Sequence, residues 1–179
     1  ATAAVAAEDS LQRYVLRAVP TRVDSLGSQR TPFLISEGSE IWISDDGSEL
    51  TLAIASRLEA LAFVPRVIAA ENADSLDVSA TLRGVILLAP AKGTDNAFLR
   101  HAFQVARRVS GKLKGADAGI FVTVSRCNGT FGLERDTVTD PLSGGLAGLA
   151  KTVGHEWPSV LAKAIDISSD FEDIGEVAV

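Results

Sequence analysis

Apolar and polar positions fall in blocks along this chain, and the blocks switch period. Glu40-Ile41-Trp42-Ile43-Ser44 is a β-forming run stopped by Asp45-Asp46-Gly47, which predicts a strand. Behind it, Leu50, Ile54, Leu58 and Leu61 recur at spacings of four, four and three, one face of a helix. Asp46 or Ser48 is its candidate N-cap. Arg66-Val67-Ile68-Ala69, within 65–70, predicts the next strand, and the polar stretch 71–81 a loop. The continuous apolar run Gly84 to Ala89 ends at Pro90 and predicts a strand covered on both faces. Phe98, Ala102, Val105 and Val109 mark a second helix, capped by Thr94 or Asp95 and ending near Gly111.

Gly119 to Ser125 is the next predicted strand. Asp140-Pro141 combines an N-cap aspartate with proline at the first helical position. Leu142, Leu146, Leu149 and Val153 continue that helix, Pro158 closes it, and Leu161 to Ile167 is the last strand. Arg13 to Val19, stopped by Pro20, and Phe33-Leu34-Ile35 predict two further strands. No short-period repeat is present. Strands alternating with helices predict an α/β fold of Rossmann type: a mostly parallel sheet flanked by helices, with right-handed crossovers.

Composition narrows the function classes. The length of 179 residues suits one domain. With 46% hydrophobic and 22% charged residues the chain is not generally disordered. Seventeen basic against 23 acidic residues, with no basic stripe read from the sequence, argue against nucleic-acid binding. No apolar run is long enough to span a bilayer. A single cysteine, Cys127, makes neither an internal disulfide nor a multi-cysteine metal site, so the expected setting is intracellular. The chain has no methionine, opens on the alanine-rich Ala1 to Ala7 without the basic region of a signal peptide, and stops within a new element at Val179. A piece of a larger polypeptide is expected: a linker over 1–10, one domain over 11–169, and the start of a connection over 170–179.

Chemistry-bearing motifs are each incomplete. A dinucleotide-binding turn carries Gly-x-Gly-x-x-Gly after the first strand, so that backbone can approach a pyrophosphate at a helix N-terminus. Here Ser44-Asp45-Asp46-Gly47-Ser48-Glu49 stands there, with one glycine and three carboxylates that would repel a diphosphate. The run Gly145-Leu-Ala-Gly148-Leu-Ala150-Lys151-Thr152 imitates a P-loop. Ala150 replaces the glycine before the lysine, and Leu146 and Leu149 follow a helical register. A glycine-rich helix packed closely on the sheet is the better reading. His155-Glu156 lacks the second histidine of a zincin, since Ser159 holds that position; His101 is the only other histidine. His155 fits a helix C-terminus. Asn128-Gly129-Thr130 is a glycosylation sequon that reads as a turn. No Gly-x-Ser-x-Gly elbow occurs, and nothing in the sequence activates Cys127.

The segment Asp140-Pro-Leu-Ser-Gly-Gly-Leu-Ala-Gly-Leu-Ala-Lys-Thr-Val-Gly-His-Glu-Trp-Pro158 resembles a stretch of polyketide synthase ketoreductase regions. Ala162 to Ile167, Phe121 to Arg126 and Gly129-Thr-Phe-Gly132 are also similar to that family, closest in flavour to synthases of the polyunsaturated-fatty-acid type. The resemblance is strongest over 118–167 and extends more weakly to about residue 33. It implies a ketoreductase built of two Rossmann-like halves, of which this chain is the truncated, non-catalytic structural subdomain. In such a reductase the other half binds NADPH and carries the catalytic serine, tyrosine and lysine or asparagine.

The residues agree with that implication. Tyr14, the only tyrosine, is followed four residues later by Ala18 where a Tyr-x-x-x-Lys pair needs lysine. Ser125 ends a strand as a catalytic serine would, but Val138 and Leu142 stand at the spacings of the tyrosine and lysine. Without a phenol beside a lysine no proton reaches a carbonyl oxygen. The expectations are therefore no catalytic, cofactor-binding or metal residue in this chain, and NADPH held by the catalytic half of the parent. The expected partners are that half of the same polypeptide and, only through the parent, an acyl carrier protein. The expected location is the cytoplasm. Phe131, Trp42 and Trp157 are each either partner surface or core. The alternatives are a diverged stand-alone short-chain reductase and a non-enzymatic docking module.

Overall fold

The computed structural model describes residues 14–17, 19, 35–133 and 138–168. Five strands, β1 (Glu40–Ser44), β2 (Val64–Ile68), β3 (Leu82–Leu88), β4 (Gly119–Ser125) and β5 (Val160–Asp166), form one sheet. Their order is β2-β1-β3-β4-β5, and every pairing is parallel. Three α-helices, α1 (Glu49–Ala60), α2 (Asn96–Lys114) and α3 (Gly144–Glu156), occupy the connections. The fold is a truncated Rossmann-like α/β fold.

Strand alternation sends side chains to two cores. Trp42, Val85, Leu87 and Phe121 face α2, α3 and a short 3-10 helix, Ala70–Ser75. Ile41, Ile43, Ile86, Leu88, Ile120 and Val124 face α1 through Leu50 and Leu58. β3 has no exposed residue, which is why it reads as an unbroken apolar run. Gly84 lets β3 pass its neighbours: a Cβ there would lie 2.7 Å from Ile120 Cγ1 and 3.2 Å from Ile41 Cγ1.

β1 and β4 have the predicted bounds. Ser48 caps α1, its hydroxyl accepting from the Leu50 amide. Asp95 caps α2, accepting from the Phe98 amide at 2.7 Å. β2, β3 and β5 each start and end one or two residues earlier than predicted, and four other expectations shift. α2 runs past Gly111 to Lys114, because buried Leu113 extends the Val105–Val109 stripe by one more turn. The predicted loop over 71–81 opens with the 3-10 helix, too short and polar to show a period. Asp140 caps a 3-10 turn, Pro141–Ser143, that precedes α3, which leaves Leu142 exposed outside the helical register. Tyr14, Val15, Leu16 and Val19 are exposed and belong to no strand. Arg13, Phe33 and Leu34 lie outside the described residues, and Ile35 sits in a bend.

Candidate functional site

In an open parallel sheet the crevice for ligands lies beyond the carboxyl ends of the strands, where the strand order reverses. Here that point falls between β1 and β3. It is framed by the β1–α1 turn, by the loop after β3 and by Arg126 after β4.

The β1–α1 turn is closed on itself. Asp46 has a fully buried side chain. It accepts from the Ser48 amide at 3.0 Å, the Ser48 hydroxyl at 2.7 Å and the Thr51 hydroxyl at 2.8 Å. Its second oxygen also receives the Arg126 guanidinium, 2.5 Å away. The Gly47 amide donates to Asp45 Oδ1 and the Asp46 amide to Thr51 Oγ1. Gly47 takes φ +71°, a conformation that glycine adopts without strain. The backbone amides of residues 46, 47, 48 and 50 therefore all point to side chains of the turn or of α1's first residues. The turn is also tied to its neighbours. The Asp45 amide donates to the Ile68 carbonyl and the Ala91 amide to the Asp46 carbonyl. Arg126 Nε donates to the Ala89 carbonyl, so one guanidinium bridges the ends of three strand connections.

A second carboxylate organises the loop after β4. Asp166, at the end of β5, accepts from the Ser125 hydroxyl at 2.6 Å and from the amides of Cys127, Asn128 and Phe131. Asn128 Oδ1 then accepts from the Thr130 and Gly132 amides, confirming the turn read from the sequon. Between the two clusters lies a cleft of about 380 Å³ lined by Pro90, Lys92, Gly93, Arg126, Thr139 and Asp140. Neither Arg126 nor Asp166 was singled out by sequence reasoning. The Asp46–Arg126 pair spans 80 residues, and no local spacing announces it.

Burial of Asp46 would raise its pKa. Hydrogen bonds from the Ser48 hydroxyl, the Thr51 hydroxyl, the Ser48 amide and Arg126 outweigh that effect and hold it below the ordinary 3.8. Burial of Asp166 acts the same way, and Ser125, Cys127, Phe131 and Asn128 lower its pKa in turn. Folded pKa values below the unfolded ones mean that both groups stabilise the fold above the ordinary carboxyl range. That stability is lost as pH falls through the folded values. Urea midpoints should therefore hold steady down to about pH 4 and drop below it. An Asp46→Asn/Asp166→Asn double variant should show a shallower drop; an unchanged acid limb would refute this assignment.

The remaining motif residues fall into structural positions. Ser125 is 1% exposed and bonded inward to Asp166. Val138 and Leu142 are exposed, at 38% and 44%, and bring no proton donor to it. Tyr14 is exposed and outside the sheet. Cys127 is buried, its Sγ 3.4 Å from both Asp140 O and Ser143 Oγ. The glycine-rich segment is α3: a Cβ on Gly145 would meet Leu99 of α2 at 3.1 Å, and one on Gly154 would meet Ala162 of β5 at 3.4 Å. His155 sits in the last turn of α3. Trp42 and Trp157 are core, and Phe131 is 44% exposed. Among the described residues no group of three His, Cys, Asp or Glu side chains could hold a metal. No described helix is long and apolar enough to cross a membrane.

Among solved structures the chain is similar to a gluconate 5-dehydrogenase from Burkholderia cenocepacia, crystallised with NADP and tartrate. The two share 14% identity over 75% of this chain and 72% of that one, with a TM-score of 0.49. A protein from Sinorhizobium meliloti assigned as a short-chain alcohol dehydrogenase is 13% identical over 74% of this chain and 73% of its own, with a TM-score of 0.46. One from Pseudomonas syringae assigned as a short-chain dehydrogenase is 11% identical over 72% and 76%, with a TM-score of 0.45. No protein-family model matches the chain, and no curated protein is significantly similar to it.

Proposed function

We propose that this chain is the catalytically silent structural subdomain of an NADPH-dependent β-ketoacyl reductase within a cytoplasmic multidomain polyketide or fatty-acid synthase. The β1–α1 turn carries this reading. Where a dinucleotide would need free amides and room for a diphosphate, the amides are already hydrogen-bonded and a buried carboxylate is locked to Arg126. Phosphate oxygens brought there would meet the exposed carboxylates of Asp45 and Glu49. The residues present do not fit the cofactor, so NADPH belongs to the catalytic half of the parent. No residue of this chain takes a catalytic, cofactor-binding or metal-binding role.

The work of such a subdomain is mechanical. It packs against the catalytic half of the same polypeptide and meets an acyl carrier protein only through the parent. A surface suited to that packing is the α1 side of β5, where Leu161 and Ile165 are 40% and 47% exposed. Among the described residues α3 packs on the opposite face of β5, and no helix covers this one.

The test is a titration of the 179-residue chain with NADPH, followed by nucleotide fluorescence and calorimetry. No saturable binding is expected. Saturable binding, weakened by substitutions in the β1–α1 turn, would overturn the proposal and favour a diverged reductase acting alone.

A further inference from the structure

The charge on α2 is unlike that of the rest of the chain. This helix holds five of the 17 basic residues, Arg100, Arg107, Arg108, Lys112 and Lys114, and none of the 23 acidic ones. Two of the five have local roles. Arg108 donates to the Leu76 carbonyl, and Lys114 lies over the Trp157 ring, 5.6 Å from its centroid. Arg100 and Arg107 are exposed and have no acidic partner among the described residues.

Both of these arginines flank an apolar side chain that the fold leaves in water. Phe103 is 57% exposed, the most exposed phenylalanine on any described helix. Asn96, Leu99, Arg100, Phe103, Gln104 and Arg107 line a groove of about 810 Å³. Their spacing of three, one, three, one and three puts all six on one stripe of the helix. Leu99 leans on Gly145 at the start of α3. One turn further along α3, Gly148 has nothing within 4 Å of where a Cβ would stand, so that side of α3 is open.

We infer that the outer face of α2 docks an acidic amphipathic helix of a partner protein. An apolar side chain of that helix lies against Leu99 and Phe103 while carboxylates on its flanks meet Arg100 and Arg107. The charge selects the occupant. A second copy pairing symmetrically through α2 would set arginine against arginine, and like charges face to face oppose association. An acidic helix gains on both counts, burying the phenylalanine and pairing the guanidiniums. This inference is independent of the role proposed above, since it uses no residue of the β1–α1 turn or of β5.

The test uses the 179-residue chain and a fluorescein-labelled synthetic helix with leucines along one face and glutamates on both flanks, read by anisotropy. Its counterpart carries glutamine for every glutamate. The acidic helix should bind, should weaken as salt is raised, and should bind far more tightly than the glutamine version. Arg100→Glu/Arg107→Glu and Phe103→Ala should each weaken it by about tenfold or more. All of these sites are exposed, and circular dichroism checks that the variants fold. Arg57→Glu on α1 should leave binding unchanged. Absence of binding at low salt, equal binding of the two helices, or variants indistinguishable from the parent would each overturn the inference. So would a dimer in sedimentation that Phe103→Asp dissolves, because the face would then belong to a second copy.

Discussion

Asp46→Ala should destabilise the fold by about 3–5 kcal/mol, the range for removing one partner of a buried ion pair. The substitution strips Arg126 of its counterion, leaves Thr51 only its longer hydrogen bond to the Ser44 carbonyl and opens the capping geometry of α1. The Arg126 side chain keeps 23% of its surface in water, which places the expected loss toward the lower end of that range. Arg126→Ala should cost less, because Asp46 would keep three neutral donors. Urea denaturation of both variants measures the difference. A loss under about 1 kcal/mol for Asp46→Ala would mean that the turn is not held as described. NADPH titration of the same variant should still show no saturable binding, because removing the carboxylate frees only the Ser48 amide of the turn and the single glycine still hinders approach of a diphosphate.

Phe121→Ala should lower stability by about 3–5 kcal/mol, the range for deleting a buried aromatic ring. Phe121 is fully buried in the centre of β4, paired with Val85 on one side and Ala162 on the other. Its ring meets Trp157 edge-on, with centroids 5.6 Å apart and planes at 77°, a favourable aromatic geometry. Trp157 in turn closes α3, its amide donating to the Val153 carbonyl. The cavity would therefore open between the sheet and the end of that helix. Thermal unfolding compared with Phe103→Ala gives the contrast. The exposed phenylalanine of α2 should shift the midpoint little, and equal shifts would contradict the burial assigned to the two rings.

These effects mark what sequence can and cannot announce. β1 and β4 were readable to their bounds because each is an apolar run ended by residues that break a strand. Helix starts were readable where a capping side chain stood before the periodic stripe, as at Ser48 and Asp95, whereas Asp140 caps the 3-10 turn ahead of α3. Gly111 misled the end of α2 because a glycine costs a helix only about 1 kcal/mol, and Leu113 buried one turn further on offsets it. The absence of the phosphate-binding glycines was plain from Ser44 to Glu49. What replaced them was not, since Arg126 reaches Asp46 across two intervening strand connections. Asp166 was hidden likewise: it lies within the predicted strand Leu161 to Ile167, and only the parallel pairing of β4 and β5 sets it beside Ser125.

The two margins of the sheet are unequal. At one, β2 carries Pro65, a residue with no amide hydrogen to offer an incoming chain. At the other, β5 runs from Val160 to Asp166 with no proline, and Lys163 is its only cation. A lysine discourages casual edge-to-edge contact, but it does not remove the main-chain donors and acceptors. Lateral growth of this sheet, by a following segment or by a stray strand during refolding, is thereby steered to the β5 margin.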